Sequence, residues 1–250
     1  MGVTVTTLIV LIAIVVVIGL LVTMVGKNRA SARERELADA KAEARRWTER
    51  LGGQVMNLVG SNPAAKQAMA DAAERFTAAG SQMEQATTVA QAHLTTRTAL
   101  EGLYYVRAAR VAMDLDPGPD LPESPDQRGA GAVAEDRSVN VDGHDYQASP
   151  NPSDQTPHYY PGGRVAGRPV PQGWYSEPWW RPALAAGAWG LGSVLLFNAM
   201  FTGMVGVPSA MAWEQGYDAG QADGGGNGGD GDMGGDTGGG DFGDFGGFDF

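Results

Sequence analysis

Residues 183–207 read ALAAGAWGLGSVLLFNAMFTGMVGV, 25 positions without a charged side chain. At about 1.5 Å per residue a continuous helix of that length spans the ~30 Å hydrocarbon core of a bilayer. Its reading decides between a helix that crosses a membrane and one that is buried or lies on a membrane surface. Aromatic residues bracket it, with Trp174, Tyr175, Trp179 and Trp180 before and Trp213 and Tyr217 after. Rings at both ends of an apolar run mark the interfacial belt of a spanning helix, and the run lacks the polar face of a surface helix. The expectation is therefore a transmembrane helix over 183–207.

An earlier run, residues 3–26 (VTVTTLIVLIAIVVVIGLLVTMVG), is also uncharged and longer than the apolar core of a signal peptide. It reads as a first, uncleaved span. All 18 Lys and Arg lie between Lys27 and Arg181. Basic side chains stay on the cytoplasmic side of spans. The expected topology is a multi-pass plasma-membrane protein with residues 27–181 cytoplasmic and the C-terminal tail outside.

Between the runs the chain divides in two. Residues 27–115 are helical in character. Leu37, Ala44, Leu51 and Leu58 recur every seven residues, with Ala40 and Trp47 three after the first two, giving one apolar stripe. Asn62-Pro63 restarts the helix with a capping side chain and proline at its first position. A second stripe runs through Met69, Phe76, Met83, Ala90, Tyr104 and Val111, interrupted by Arg97, with possible breaks at Gly80-Ser81 and Gly102. The expected unit is a helical hairpin. Its stripe reads as packing surface, within the chain or against a partner.

Residues 116–182 hold 12 of the 14 prolines, which excludes long helix. Here Asp142-Gly143, between short alternating segments, predicts a β-hairpin near 137–148. The remainder, rich in Tyr and Trp, is expected to be irregular and to lie along the membrane surface. Residues 208–250 form a Gly/Asp/Phe-rich tail expected to be disordered. From Pro182 onward there are nine acidic residues and no basic ones, against a net charge of −11 for the chain. That balance, and the lack of a dense basic stripe, argues against nucleic acid as a partner.

The fold class expected is thus mainly α: two transmembrane helices flanking a cytoplasmic helical hairpin and a Pro-rich segment with a short β-hairpin. Ala183/Gly187, Ala188/Gly192 and Ala199/Gly203 are small residues four apart, and Gly187, Gly192, Gly203 and Asn198 are the helix-packing candidates.

No catalytic, cofactor-binding or metal residues are assigned. There is no cysteine, and His93, His144 and His158 lack ligand spacing to one another. Asp142, His144 and Asp145 read as a solvated turn. The two Asp-Phe-Gly triplets at 241–246 lack every other kinase signature. Gly225–Asp230 matches one partial copy of a calcium-binding nonapeptide, which needs several tandem copies to stack.

Leu115–Pro122, His158-Tyr-Tyr-Pro-Gly-Gly, Arg168-Pro-Val-Pro and Gly173-Trp-Tyr-Ser-Glu-Pro-Trp-Trp180, followed by an apolar run and a Gly/Asp/Phe tail, carry a family likeness. Over residues 60–250 the chain resembles uncharacterised membrane proteins of high-GC Gram-positive bacteria. The resemblance implies an architecture and no activity. The functional expectation is a non-enzymatic scaffold or partner-docking module in the membrane, with lipid and a protein partner or second copy as its contacts. The alternative is an accessory subunit of a transporter or channel.

Overall fold

A computed structural model describes the backbone of residues 5–190, 192–209 and 211, and the side chains from residue 31 onward within those ranges. Three helices build the first layer: α1 (Val5–Asn57), α2 (Pro63–Gln85) and α3 (Val89–Ala112), each packed on the other two. Asn62 caps α2, its side chain accepting from the Ala65 amide at 2.8 Å. The same side chain donates to the Ala112 carbonyl, tying the start of α2 to the end of α3.

The hairpin expected from the stripes is instead a three-helix bundle. The second stretch breaks at Ala86–Thr88, and helix continues through both Gly80-Ser81 and Gly102. The reason is local. Thr88 and Gln91 form a reciprocal capping box that satisfies the first amides of a new helix.

The bundle is alanine-rich, so the helices approach closely. Ala44, Leu51, Ala65, Ala68, Ala72, Ala99 and Leu103 are buried in its core. At Gly102 a Cβ would lie 2.4 Å from Leu51 Cδ2 and 3.0 Å from the Arg75 Cβ.

The Pro-rich segment is corrected more strongly, because it holds six strands rather than a single hairpin. After a single-turn helix α4 (Pro125–Ala130), strands β1 (Arg137–Val141), β2 (His144–Ser149), β3 (His158–Tyr160) and β6 (Gly173–Tyr175) form an antiparallel sheet in the order β1-β2-β6-β3. Asp142 (φ 53°) and Gly143 (φ 81°) make the β1–β2 turn. Strands β4 (Gly163–Val165) and β5 (Arg168–Val170) pair as a separate hairpin.

Side chains alternate across a strand. On β3, Tyr159 therefore joins the helical core and Tyr160 the opposite one. On β6, Trp174 and Tyr175 divide in the same way. The aromatics expected along a membrane surface are these core residues.

The two-span architecture is corrected. Among the described residues no helix is long and apolar enough to cross a membrane. The run at 183–207 is two short helices, α5 (Arg181–Ala186) and α6 (Ser193–Phe201). Gly187 ends α5 in the left-handed conformation at φ 65°, as glycine commonly does at a helix C-terminus. The nine residues of α6 rise only about 13 Å, well short of a bilayer core.

Leu196, Phe197, Met200 and Phe201 share one face of α6 and are buried against Val133, Ala148, Tyr175 and Trp180 on the far side of the sheet. One face of this run is thus covered by protein, while Leu184, Leu195 and Val205 on the other stay exposed. Arg137 donates to the Thr202 carbonyl at 2.9 Å, and Trp189 Nε1 to the Val165 carbonyl at 2.8 Å, fixing both ends of the unit.

The run at 3–26 enters α1 at Val5, and its side chains lie outside the described residues. With the spans go the multi-pass localisation, the inside–outside assignment of loop and tail, and the reason for naming lipid as a partner. The calcium reading of the tail and its expected disorder both fall outside the described residues.

Two pairs of substitutions test this packing by thermal denaturation. Gly53 and Gly102 are both helical, but nothing lies within 4 Å of a Cβ at Gly53. Gly53→Ala should stabilise by roughly 0.5–1 kcal/mol. Gly102→Ala should destabilise by about 1–3 kcal/mol, because overpacking outweighs the same propensity gain. Phe197 is 1% exposed and Leu195 58%. Phe197→Ala should cost about 3–5 kcal/mol and Leu195→Ala under about 0.5 kcal/mol.

Candidate functional site

The bundle, the sheet and α5 meet along a charged seam. On α2, Asp71 and Arg75 are four residues apart and Glu74 three from Asp71, so all lie on neighbouring positions of one face. On α3, Arg97 and Glu101 are related in the same way. Arg75 Nε approaches Glu101 Oε1 at 3.6 Å across the two helices. Arg181, the first residue of α5, reaches back to Asp71 and pairs with its carboxylate. Gln67 Nε2 also donates to that carboxylate, at 3.2 and 3.3 Å. The link from Asp71 to Arg181 joins the outer layer to the bundle across 110 positions of sequence.

Two clefts flank this seam, one of about 430 Å³ and one of about 440 Å³, and both are lined by Arg75 and Leu184. The smaller runs between α3 (Leu94, Arg97, Glu101), α4 (Asp126, Gln127), the turn after β3 (Pro161–Gly163) and α5. The larger holds Asp71, Glu74, Tyr105, His158 and Arg181. α4 keeps its place through a capping box between Ser124 and Gln127, and the Gln127 amide donates to the Pro161 carbonyl at 3.2 Å.

The charges of the seam are paired. Arg75 faces Glu101 and Arg181 faces Asp71, and at the surface Arg164 approaches Asp126 at 3.4 Å. Burial raises the pKa of Asp71, opposed by the Arg181 guanidinium. Burial likewise raises that of Glu101, opposed by Arg75. Burial, reinforced by the Glu101 charge, lifts the Tyr105 phenol well above its ordinary value. That phenol stays protonated at neutral pH.

At the rims the picture differs. Arg97 and Arg128 are exposed and have no carboxylate partner among the described residues, and Glu123 between them has no cation partner there. Leu94 and Leu184 line the smaller cleft with 43% and 49% of their surface open.

Chemistry is poorly served by this arrangement. Two of the cleft hydroxyls are engaged with backbone, Thr98 Oγ1 donating to the Leu94 carbonyl and Ser124 Oγ accepting from the Gln127 backbone amide. His158 is half-buried, with its pKa lowered first by burial and then by Arg181, and its Nδ1 is buried without a hydrogen-bond partner. Among the described residues no hydroxyl hydrogen-bonds to it, as a nucleophile would. His144 contacts Glu177 at 2.5 Å on the exposed β-hairpin, away from both clefts, and His93 stands exposed on α3. Among the described residues no three His, Cys, Asp or Glu are grouped to hold a metal.

The helix-packing candidates do not meet in this site. Gly187 terminates α5, Gly192 precedes α6 and Gly203 (φ 78°) follows it, and none would place a Cβ within 4 Å of a neighbour. Asn198 is exposed on α6, where the Thr202 hydroxyl donates to its side chain. Asp71, Arg75, Glu101 and Arg97 were not singled out by the sequence reading. One signal pointed to them: Arg97 interrupts the α3 stripe, and Asp71 sits between buried Ala68 and Ala72.

The Asp71 carboxyl has a pH signature. Its folded pKa is raised above the ordinary 3.8. The folded state therefore holds that proton more tightly than the unfolded chain. The contribution is fully present below 3.8 and is lost as pH rises through the raised value. Asp71→Asn, which has no titration, should be relatively more stable against wild type at pH 7 than at pH 3.5, by paired denaturant titrations. An equal or reversed difference would show that the Arg181 pair dominates. No family model, curated protein or solved structure matches this chain, so the functional reading rests on the geometry of the seam.

Proposed function

We propose that this chain is a non-enzymatic docking module, and that the cleft between α3, α4 and α5 receives an acidic, aromatic-bearing segment of polypeptide. The observation that carries the reading is the division of charge in that cleft. The charges of the seam neutralise one another, whereas Arg97 on the cleft wall and Arg128 on the adjoining recess have no carboxylate partner among the described residues, and Leu94 and Leu184 line the cleft with much of their surface open. Paired interior charges hold the walls in place. Unpaired guanidinium groups at the rim present forked donors suited to carboxylates.

The energetics favour modest affinity. Each exposed ion pair contributes about 0–1 kcal/mol, and burying one aromatic ring against leucine about 1.5–3 kcal/mol. Ordering a flexible segment offsets part of this gain. Two rings and two pairs sum to about 3–8 kcal/mol before that offset, which corresponds to a dissociation constant on the order of 0.1 mM.

Fluorescence anisotropy with labelled decapeptides tests the reading. A peptide alternating Asp and Phe should bind, and its Lys-for-Asp counterpart should not. Arg97→Glu should weaken binding about tenfold, whereas Glu123→Gln should tighten it, since it removes a like charge from the same wall. Equal binding of both peptides, or indifference to both substitutions, would falsify the assignment.

A further inference from the structure

We propose that the occupant of this cleft is the chain's own C-terminal segment, DFGDFGGFDF at 241–250, which docks in cis and competes with outside partners. The inference rests on the docking reading above and adds the identity of the segment.

Three observations carry it. First, the chain reaches the end of the described residues beside the cleft. The Gly206 carbonyl lies against the backbone of Gly131 so closely that a Cβ there would come within 1.9 Å of it. Gly131 follows α4 directly and lines a recess of about 180 Å³ that shares Tyr104, Glu123, Gln127 and Pro161 with the cleft. Second, reach is no obstacle. Residues 212–240, at up to about 3.5 Å each, can span roughly 100 Å, more than the width of a domain of this size.

Third, the chemistry is complementary. Residues 212–250 contain nine acidic side chains and no basic one, and the last ten bring Phe242, Phe245, Phe248 and Phe250 among Asp241, Asp244 and Asp249. Those carboxylates match Arg97 and Arg128, and the rings match Leu94 and Leu184. A segment tethered at its own cleft acts at an effective concentration of order millimolar, so contacts with a dissociation constant of about 0.1 mM suffice to keep it seated roughly ten to one.

The absence of cysteine permits a clean test in the full chain. A nitroxide attached at Gly247→Cys should broaden the amide resonances of Arg97 and Leu184. Adding Arg97→Glu with Arg128→Glu should abolish that broadening. In parallel, replacing Phe242, Phe245, Phe248 and Phe250 by Ala should raise the affinity for the Asp/Phe peptide about tenfold, by removing the internal competitor. No broadening with unchanged peptide affinity would overturn the cis occupant while leaving the docking cleft standing. Broadening that survives the double Arg substitution would overturn it as non-specific. Failure of the peptide to bind even the Phe-to-Ala variant would sink both proposals.

Discussion

The structure depends on the β3–β6 half of a sheet, which buries both of its faces. β3 and β6 are only three residues long, yet each places one aromatic ring in the helical core and the next in the outer core. Tyr159 meets Trp174 at 5.1 Å between centroids and Tyr105 at 6.0 Å on the bundle side. Tyr175 meets Trp180 at 5.0 Å and Phe201 at 6.4 Å on the other. Aromatic pairs at such separations add to the stabilisation that their buried area supplies. Without this doubly covered layer the alanine-rich bundle would have little apolar surface to bury against, and α6 would have none.

Covering both faces has an electrostatic consequence. Charged residues of α2 and α3 that would otherwise meet water are closed over by α5, and each must find a partner. Arg75 with Glu101, and Arg181 with Asp71, are those partners. An ion pair of this kind gives little net stability beyond its desolvation cost, but it fixes which surfaces meet and in what register. The clefts on either side are the space left where helical and β layers of different curvature join. Their walls are set by the seam, and their rims carry the charges that the seam did not use.

Much of the helical half was legible. The apolar stripe through Ala40, Ala44 and Leu51 is buried, and the Asn62-Pro63 start stands where the capping chemistry placed it. The break at Thr88 was written in its capping box, but the nearby glycines drew attention away. Glycine lowers helix propensity by about 1 kcal/mol, which tertiary contact readily overrides, as at Gly102. The Asp142-Gly143 turn was equally local and equally legible. The three-residue strands were not. Strands that short carry too few positions for a period of two to stand out, and proline neighbours at Pro161, Pro169 and Pro171 disguised them.

The apolar run at 183–207 marks the boundary between the two kinds of information. Composition determined that part of it would leave water, since a run of 25 uncharged, largely apolar residues gains by burying a face. It did not determine what would replace water, because a lipid core and a wall of tyrosine and tryptophan side chains are alike in apolarity. Gly187, Gly190 and Gly192 permit a bent arrangement without requiring it. Only the outer face of the sheet, assembled from Val133, Ala148, Tyr175 and Trp180, settled that the run would fold into two short helices with one face against protein. The same holds for the cleft: each arginine was visible as a charge, but which ones remained without a partner was decided by which helices came to face each other.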